Sequence, residues 1–228
     1  MSTKIDALIN LFSGTVRGWR GAVAYRKRSQ PLPKPLRLYD IEACPYCRLV
    51  REVLTELDLD VLILPCPRGG TRFRPEARRI GGKALFPLLV DENTGALLYQ
   101  SADIVAYLRR TWATLRERGQ TQPAGTLLYE DLNLALFTSQ LASLLMLRPS
   151  GLGGVRARPS VAPAQPLELY SFEASPFSKP VRARLCELEI PYLLRNAGKG
   201  GWKDMGPPSF RDKLFKGPME TTRNRAWL

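Results

Sequence analysis

Shifted against itself by 131 residues, the 228-residue chain aligns Leu36–Gly70 with Leu167–Gly201 without a gap, and 14 of the 35 positions are identical. Leu38-Tyr39 recurs as Leu169-Tyr170, Glu42-Ala43 as Glu173-Ala174 and Pro45 as Pro176. Val50-Arg51 recurs as Val181-Arg182, Glu56-Leu57 as Glu187-Leu188 and Gly69-Gly70 as Gly200-Gly201. Ungapped self-similarity of this length is the mark of one structural module used twice. The second copy is incomplete. After Gly201 no counterpart of Phe86-Pro87 or of Gln100-Ser101 occurs before Leu228. Three elements do not easily bury a core by themselves. They are expected either to pack on the first module or to belong to a truncated member of something longer.

Periodicity predicts what each copy folds into. Leu36-Arg37-Leu38-Tyr39 reads as a strand, and Val50, Val53, Leu54 and Leu57 recur at helical spacing from a helix starting near Pro45. Proline suits the first helical turn, where its missing N–H is not needed. Val61–Leu64 reads as a buried strand, completing a βαβ unit. Leu85–Asp91 and Ala96–Tyr99 read as two further strands joined at Asn93-Thr94-Gly95. A helix follows with Ser101 as N-cap and Ile104, Val105, Tyr107 and Leu108 on its apolar face. The fold class is α/β, with two modules in tandem joined by a helical connector.

Four segments follow from this reading. Residues 1–35 form a basic amphipathic arm, with Ile5, Leu8, Ile9, Phe12, Val16, Trp19 and Val23 at helical steps, ending in a Pro-rich linker. Such an arm either lies on a membrane surface or docks on its own domain, and the second is preferred. Residues 36–110 form the first module. Residues 111–166 form a helical connector, apolar from Leu132 to Leu147, that ends in a Gly/Pro-rich stretch. Residues 167–228 hold the partial second module.

Composition narrows the chemistry. The chain has no histidine, which excludes a Ser-His-Asp triad, a Cys-His protease and a His-ligated metal centre. Four cysteines are too few for a disulfide scaffold of this size. With no run of 18 apolar residues and no secretory signal, a reducing cytoplasmic setting is expected, with the plastid stroma as the alternative. The net charge of +13 is uneven: +6 in residues 1–35 and only +1 in residues 36–110. Nucleic-acid binding would want a concentrated basic face with interleaved aromatics. The dense groups are only Arg26-Lys27-Arg28 and the set Arg72, Arg74, Arg78 and Arg79. The latter reads as a solvated face, with docking of an anionic partner as the minority alternative.

The chemistry concentrates at Cys44-Pro45-Tyr46-Cys47, which the second copy replaces by Ser175-Pro176-Phe177-Ser178. One C-x-x-C pair with two scattered cysteines and no histidine does not make a zinc site, and no metal is expected. Thiol–disulfide exchange fits better. A cysteine at a helix N-terminus faces exposed N–H groups and the positive end of the helix dipole, and a second thiol three residues on can attack a mixed disulfide. Glu42 opposes thiolate formation, while Arg48 and Arg51 favour it. Cys66 and Cys186 read as small buried residues.

Cys-Pro-Tyr-Cys after a Leu-Tyr strand resembles the active-site turn of glutaredoxins. Phe86-Pro87 before a strand, and Tyr99-Gln100-Ser101-Ala102-Asp103-Ile104 opening a helix, resemble the N-terminal domain of glutathione S-transferases. Two such modules in tandem resemble the double-domain group of plants, algae and bacteria, as does the stretch from Pro207 to Phe215. The resemblance implies thioredoxin-like modules and glutathione as co-substrate. Cys44 would be the nucleophile and Cys47 the resolving thiol. Pro87 would be a cis-proline facing them, with the Phe86 backbone on the cysteinyl part of glutathione. Gln100 and Ser101 would hold the γ-glutamyl group, with Tyr46 completing the site. Gln100 stands where many relatives carry Glu. The helical domain that builds a transferase's electrophile pocket is not recognisable here.

The function implied is glutathione-dependent thiol–disulfide exchange on disulfide or mixed-disulfide substrates. A non-catalytic glutathione-binding or scaffold protein, or transferase activity, is the alternative. Bridging of an iron–sulfur cluster between two protomers by Cys44 and glutathione is a third option.

Overall fold

A computed structural model describes residues 11–24, 31–112, 132–144, 153–165 and 167–199. The elements are β1 (Leu36–Asp40), α1 (Pro45–Glu56), β2 (Val61–Pro65), α2 (Arg74–Gly81), β3 (Leu88–Asp91) and β4 (Ala96–Tyr99). They continue with α3 (Ser101–Trp112), α4 (Leu132–Leu144), β5 (Leu167–Ser171), α5 (Ser178–Glu187) and β6 (Tyr192–Asn196). The strands make one sheet in the order β4-β3-β1-β2-β6-β5. β1 and β2 are parallel, as are β5 and β6, and the other neighbours are antiparallel.

Alternation along the strands sorts side chains between two layers. Leu36, Leu38, Val61 and Ile63 join Val50, Val53, Leu54, Ile104 and Leu108 from α1 and α3 in the larger core. Tyr39 and Leu64 face the other way and, with Leu62 and Ala77, pack under α2. On that side the Tyr39 hydroxyl donates to Glu76 of α2 at 2.8 Å, and Arg37 bonds the same carboxylate at 2.6 Å. The sheet is thus sandwiched between helices, as a thioredoxin-like arrangement requires.

The second copy of the repeat joins this sheet. β6 pairs with β2 in the register Val61–Leu194, Leu62–Leu193, Ile63–Tyr192. Leu193 is also the residue that aligns with Leu62 in the repeat. The two copies are therefore related by a local two-fold passing through the Leu62–Leu193 pair. The β2 edge, a ready template for unwanted pairing if left open, is covered.

The same two-fold organises a buried charge layer. Arg51 Nε donates to Glu173 of the other copy at 2.9 Å, and its repeat counterpart Arg182 donates to Glu42 at 3.1 Å. Each guanidinium also donates to the main-chain carbonyl of its own copy's glutamate, at 2.9 and 3.1 Å. A third arm of Arg51 reaches both carboxylate oxygens of Asp40, at 2.8 and 2.6 Å, while that of Arg182 reaches Ser171 Oγ at 3.2 Å. The N–H of Glu173 donates to Thr55 Oγ1, and that of Glu42 to Cys186 Sγ, again as counterparts. Arg51 and Arg182 are wholly excluded from solvent. Burying such groups is tolerated because every charge has partners.

Several expectations need correction. Among the described residues of the arm, 11–16 are helical and Trp19 and Val23 lie beyond that helix; Ile5, Leu8 and Ile9 lie outside the described residues. Gly18, Trp19 and Gly21 take positive φ, and Val23 forms a bridge with Lys199. Gly21 has no room for a side chain, since a Cβ would stand 2.8 Å from that of Glu173. The arm docks on its own domain: Arg17 bonds Glu52 and the carbonyl of Ala135, and Ser13 bonds that of Ala142. β3 begins only at Leu88, because Pro87 has no N–H for the ladder. The connector is helical at Leu132–Leu144 and irregular over residues 153–165, apart from a bridge at Arg156. Pro207–Phe215 and Arg26-Lys27-Arg28 lie outside the described residues.

Candidate functional site

β1 ends at Asp40, and a turn over residues 41–44 delivers the chain into α1. Cys44 occupies the N-cap position with extended backbone, φ −71° and ψ 125°, and Pro45 opens the helix. The Cys44 N–H donates to Ile41 O at 2.9 Å, and the Arg48 N–H donates to Cys44 O at 3.1 Å. No side chain caps this helix end. Its free amides therefore face the Cys44 sulfur. Cys44 is half-buried, and Cys47, one turn on, is wholly buried.

The electrostatics separate the two thiols. A hydrogen bond from the Cys47 thiol pulls Cys44 down to about 7; burial opposes it, the N–H groups of Cys47 and Tyr46 reinforce it, and Asp40 opposes it. Burial pushes Cys47 well above an ordinary thiol, and its donation to Cys44 pushes the same way. From the sequence, Glu42 is expected to oppose the thiolate and Arg48 and Arg51 to favour it. Here Arg51 is committed to Asp40 and Glu173, and Asp40 is the carboxylate that Cys44 feels. Asp40 was missed. Its signal was its place, one turn ahead of Cys44 at the end of a strand.

Strand register gathers the other candidates. Leu88 pairs with Tyr39 on one side and with Tyr99 on the other. Pro87 thus stands beside Asp40, and Gln100-Ser101 leave β4 at the same end of the sheet. The Phe86–Pro87 peptide bond is cis. Phe86 is half-buried, with the Arg74 guanidinium 4.9 Å from its ring centroid. Tyr46 is 42% exposed, so its contribution to Cys44 is its N–H. Gln100 has φ 66°, a left-handed conformation uncommon outside glycine and worth attention at a site. Its carbonyl accepts the Ile104 N–H at 3.0 Å, which makes Gln100 the N-cap. Ser101, expected there, is instead the first helical residue and is buried.

The equivalent turn of the second copy is built otherwise. Ser175 Oγ accepts the Ser178 N–H at 3.2 Å and lies 3.0 Å from Ser178 Oγ. The hydroxyl satisfies an amide of the kind that in the first copy faces sulfur, and α5 starts only at Ser178. Cys66 and Cys186 are buried, and burial pushes both thiols up. Among the described residues no group of three or more Cys, Asp or Glu gathers to hold a metal ion, and no helix is long and apolar enough to cross a membrane.

A pH titration of alkylation checks the thiol assignment. Iodoacetamide should modify Cys44 with an apparent midpoint near 7, while Cys47 reacts only on unfolding. A midpoint near the free-thiol value of about 8.5 removes the activated nucleophile.

Residues 38–119 match the family described as glutathione S-transferase, N-terminal domain. This segment thus carries a thioredoxin-like domain of that type. Two solved structures of a glutathione transferase from Bombyx mori are similar to part of the chain. One, in complex with GTT, is 24% identical and the other 23%; both cover 47% of this chain and 50% of theirs, with TM-scores of 0.36. The chain spans about half the length of these transferases. No curated protein matches it.

Proposed function

We propose that the protein catalyses glutathione-dependent thiol–disulfide exchange at Cys44, in the manner of a glutaredoxin. The observation that carries this reading is the half-exposed Cys44 thiol at an uncapped helix N-terminus, drawn down to about 7 beside a buried Cys47 thiol that donates to it. The Cys44 thiolate attacks the glutathionyl sulfur of a mixed disulfide R–S–S–G. The substrate leaves as a thiolate and takes a proton, and Cys44 is left disulfide-bonded to glutathione. A second glutathione thiolate then attacks that sulfur, releasing glutathione disulfide and regenerating Cys44. Alternatively Cys47 attacks, releases glutathione and leaves a Cys44–Cys47 disulfide, which two glutathiones reduce.

Glutathione fits the end of the sheet where these residues converge. The edge beyond Pro87 offers main chain for its cysteinyl part, and the N-terminus of α3, with Gln100 and Ser101, offers amides and a hydroxyl for a carboxylate. The second copy is read as a partial module of the same type, which its β-α-β order and its two-fold relation to the first support. Its serine turn carries no thiol, so it acts as a structural complement.

Reduction of a glutathionylated peptide, coupled through glutathione reductase to NADPH oxidation, tests the reading. The expected result is turnover that rises with pH through about 7 and then levels as Cys44 ionises. A rate no greater than that of glutathione alone overturns it. Conjugation of an electrophile in place of reduction would favour the transferase alternative.

A further inference from the structure

The arginine-rich group that follows β2 divides in the structure. Arg72 turns inward and is spent on main chain, donating to Leu188 O at 3.1 Å, to Glu189 O and to Ser160 O at 3.0 Å. Arg74, Arg78 and Arg79 instead line a cleft of about 600 Å³ with Gly69, Gly70 and Ala84. The nearby acids are occupied. Glu76 is held by Arg37 and Tyr39, and Glu189 is buried and accepts the N–H groups of Thr71 and Arg72 at 3.1 and 3.0 Å. Arg68, exposed on the approach to Gly69, adds a further positive charge.

Arg78 and Arg79 lie in the last turn of α2, where the dipole favours cations, but Arg74 opens the helix, where it disfavours one, and stands four residues from Arg78, where like charges repel. Local rules broken in this way are most often broken at functional sites. The cleft also adjoins the thiol site. The Arg74 guanidinium lies over Phe86, which precedes the proline beside Asp40, and Ala84 lies two residues before Phe86.

We propose that this cleft docks an extended acidic polypeptide segment flanking the disulfide on which Cys44 acts. The spacing fits the partner. Four residues of helix separate Arg74 from Arg78 by about 6 Å along the axis. Alternate residues of an extended chain place carboxylates about 6.8 Å apart on one face. A peptide with acids at every second position thus meets two or three guanidiniums at once, and guanidinium–carboxylate pairing can be bidentate. Identification of the docked segment as a substrate rests on the thiol-exchange reading; the docking itself does not.

The test uses the full chain and two glutathionylated peptides, one with glutamates at alternate positions and one with lysines there. The expected result is at least a tenfold higher kcat/KM for the acidic peptide at low salt. That ratio should fall toward one in Arg78→Gln/Arg79→Gln and on raising salt, but persist in Arg110→Gln, a surface arginine at the far end of α3. A ratio near one in the wild type, or one unchanged in the double variant, overturns the proposal. Fluorescence anisotropy of a labelled, disulfide-free glutamate peptide separates the two readings. Binding that the double variant loses, in a protein without exchange activity, supports the docking and removes the thiol reading. No binding overturns the docking even where exchange is observed. Displacement by equimolar inorganic phosphate also overturns it, since a polypeptide making several contacts should not yield to a single small anion.

Discussion

Cys44→Ser should lower glutathione-coupled disulfide reduction to the uncatalysed background, whereas Cys47→Ser should keep the rate within a few-fold. The contrast follows from the different states of the two thiols. At a pKa of about 7, Cys44 is half thiolate at neutral pH, against about 3% for a free thiol near 8.5. Intrinsic nucleophilicity falls with pKa at a Brønsted slope of about 0.4–0.5, which returns roughly fivefold of that gain. A net advantage of about threefold remains for attack. The same low pKa also makes Cys44 a good leaving group when glutathione attacks the mixed disulfide. Cys47 is buried, and its thiol is pushed well up. Glutathione from solution is therefore the more accessible resolving thiol. Serine at position 47 keeps a hydroxyl that can donate to Cys44, so Cys47→Ala should raise the Cys44 midpoint further than Cys47→Ser. Equal loss in Cys44→Ser and Cys47→Ser would show an obligatory dithiol cycle instead. Full activity in Cys44→Ser would remove the site altogether.

Much of the first module was legible because its signals are local. Alternating Leu36 and Leu38, the helical spacing of Val50, Val53 and Leu54, and Pro45 at a helix start are each a short pattern with one good solution. Cys44 and Cys47 were legible for the same reason. What escaped was long-range. α1 reads as amphipathic, with Arg48, Arg51, Glu52 and Glu56 on a polar face that water would be expected to cover. Every residue of α1 from Cys47 onward is buried, because the arm, α4 and the second copy close over that face. The signal existed in the repeat itself: Glu42 and Arg51 are among the identities it preserves. Weighed only as charges acting on Cys44, they give no reason to look across to Glu173 and Arg182. The charge distribution misled in a similar way. The first module is nearly neutral, yet its arginines include buried Arg48 and Arg51, which pair with Glu173 of the second copy, and exposed Arg78 and Arg79 on α2.

Removing Arg51 should have the largest effect on stability. Arg51→Met takes away the partner shared by Asp40 and Glu173, leaving carboxylates that water cannot reach. Breaking a buried pair in this way costs about 3–5 kcal/mol. Urea unfolding followed by tryptophan fluorescence should show the loss as a lower midpoint at unchanged slope. Arg182→Met tests the two-fold relation, since it strips Glu42 and Glu173 of the equivalent partner. Because both arginines meet at Glu173, their effects should not add. A double-mutant cycle should return a coupling of about 0.5–3 kcal/mol, whereas additive losses would place them in separate networks. The effect should also reach the reacting sulfur from one side only. In Arg51→Met the Asp40 charge that opposes the Cys44 thiolate is no longer countered, so the alkylation midpoint should move above 7. Arg182 bonds Ser171 where Arg51 bonds Asp40, and Arg182→Met should leave that midpoint in place. A common shift in both variants would mean that Cys44 senses general loosening of the fold, and not the carboxylate beside it.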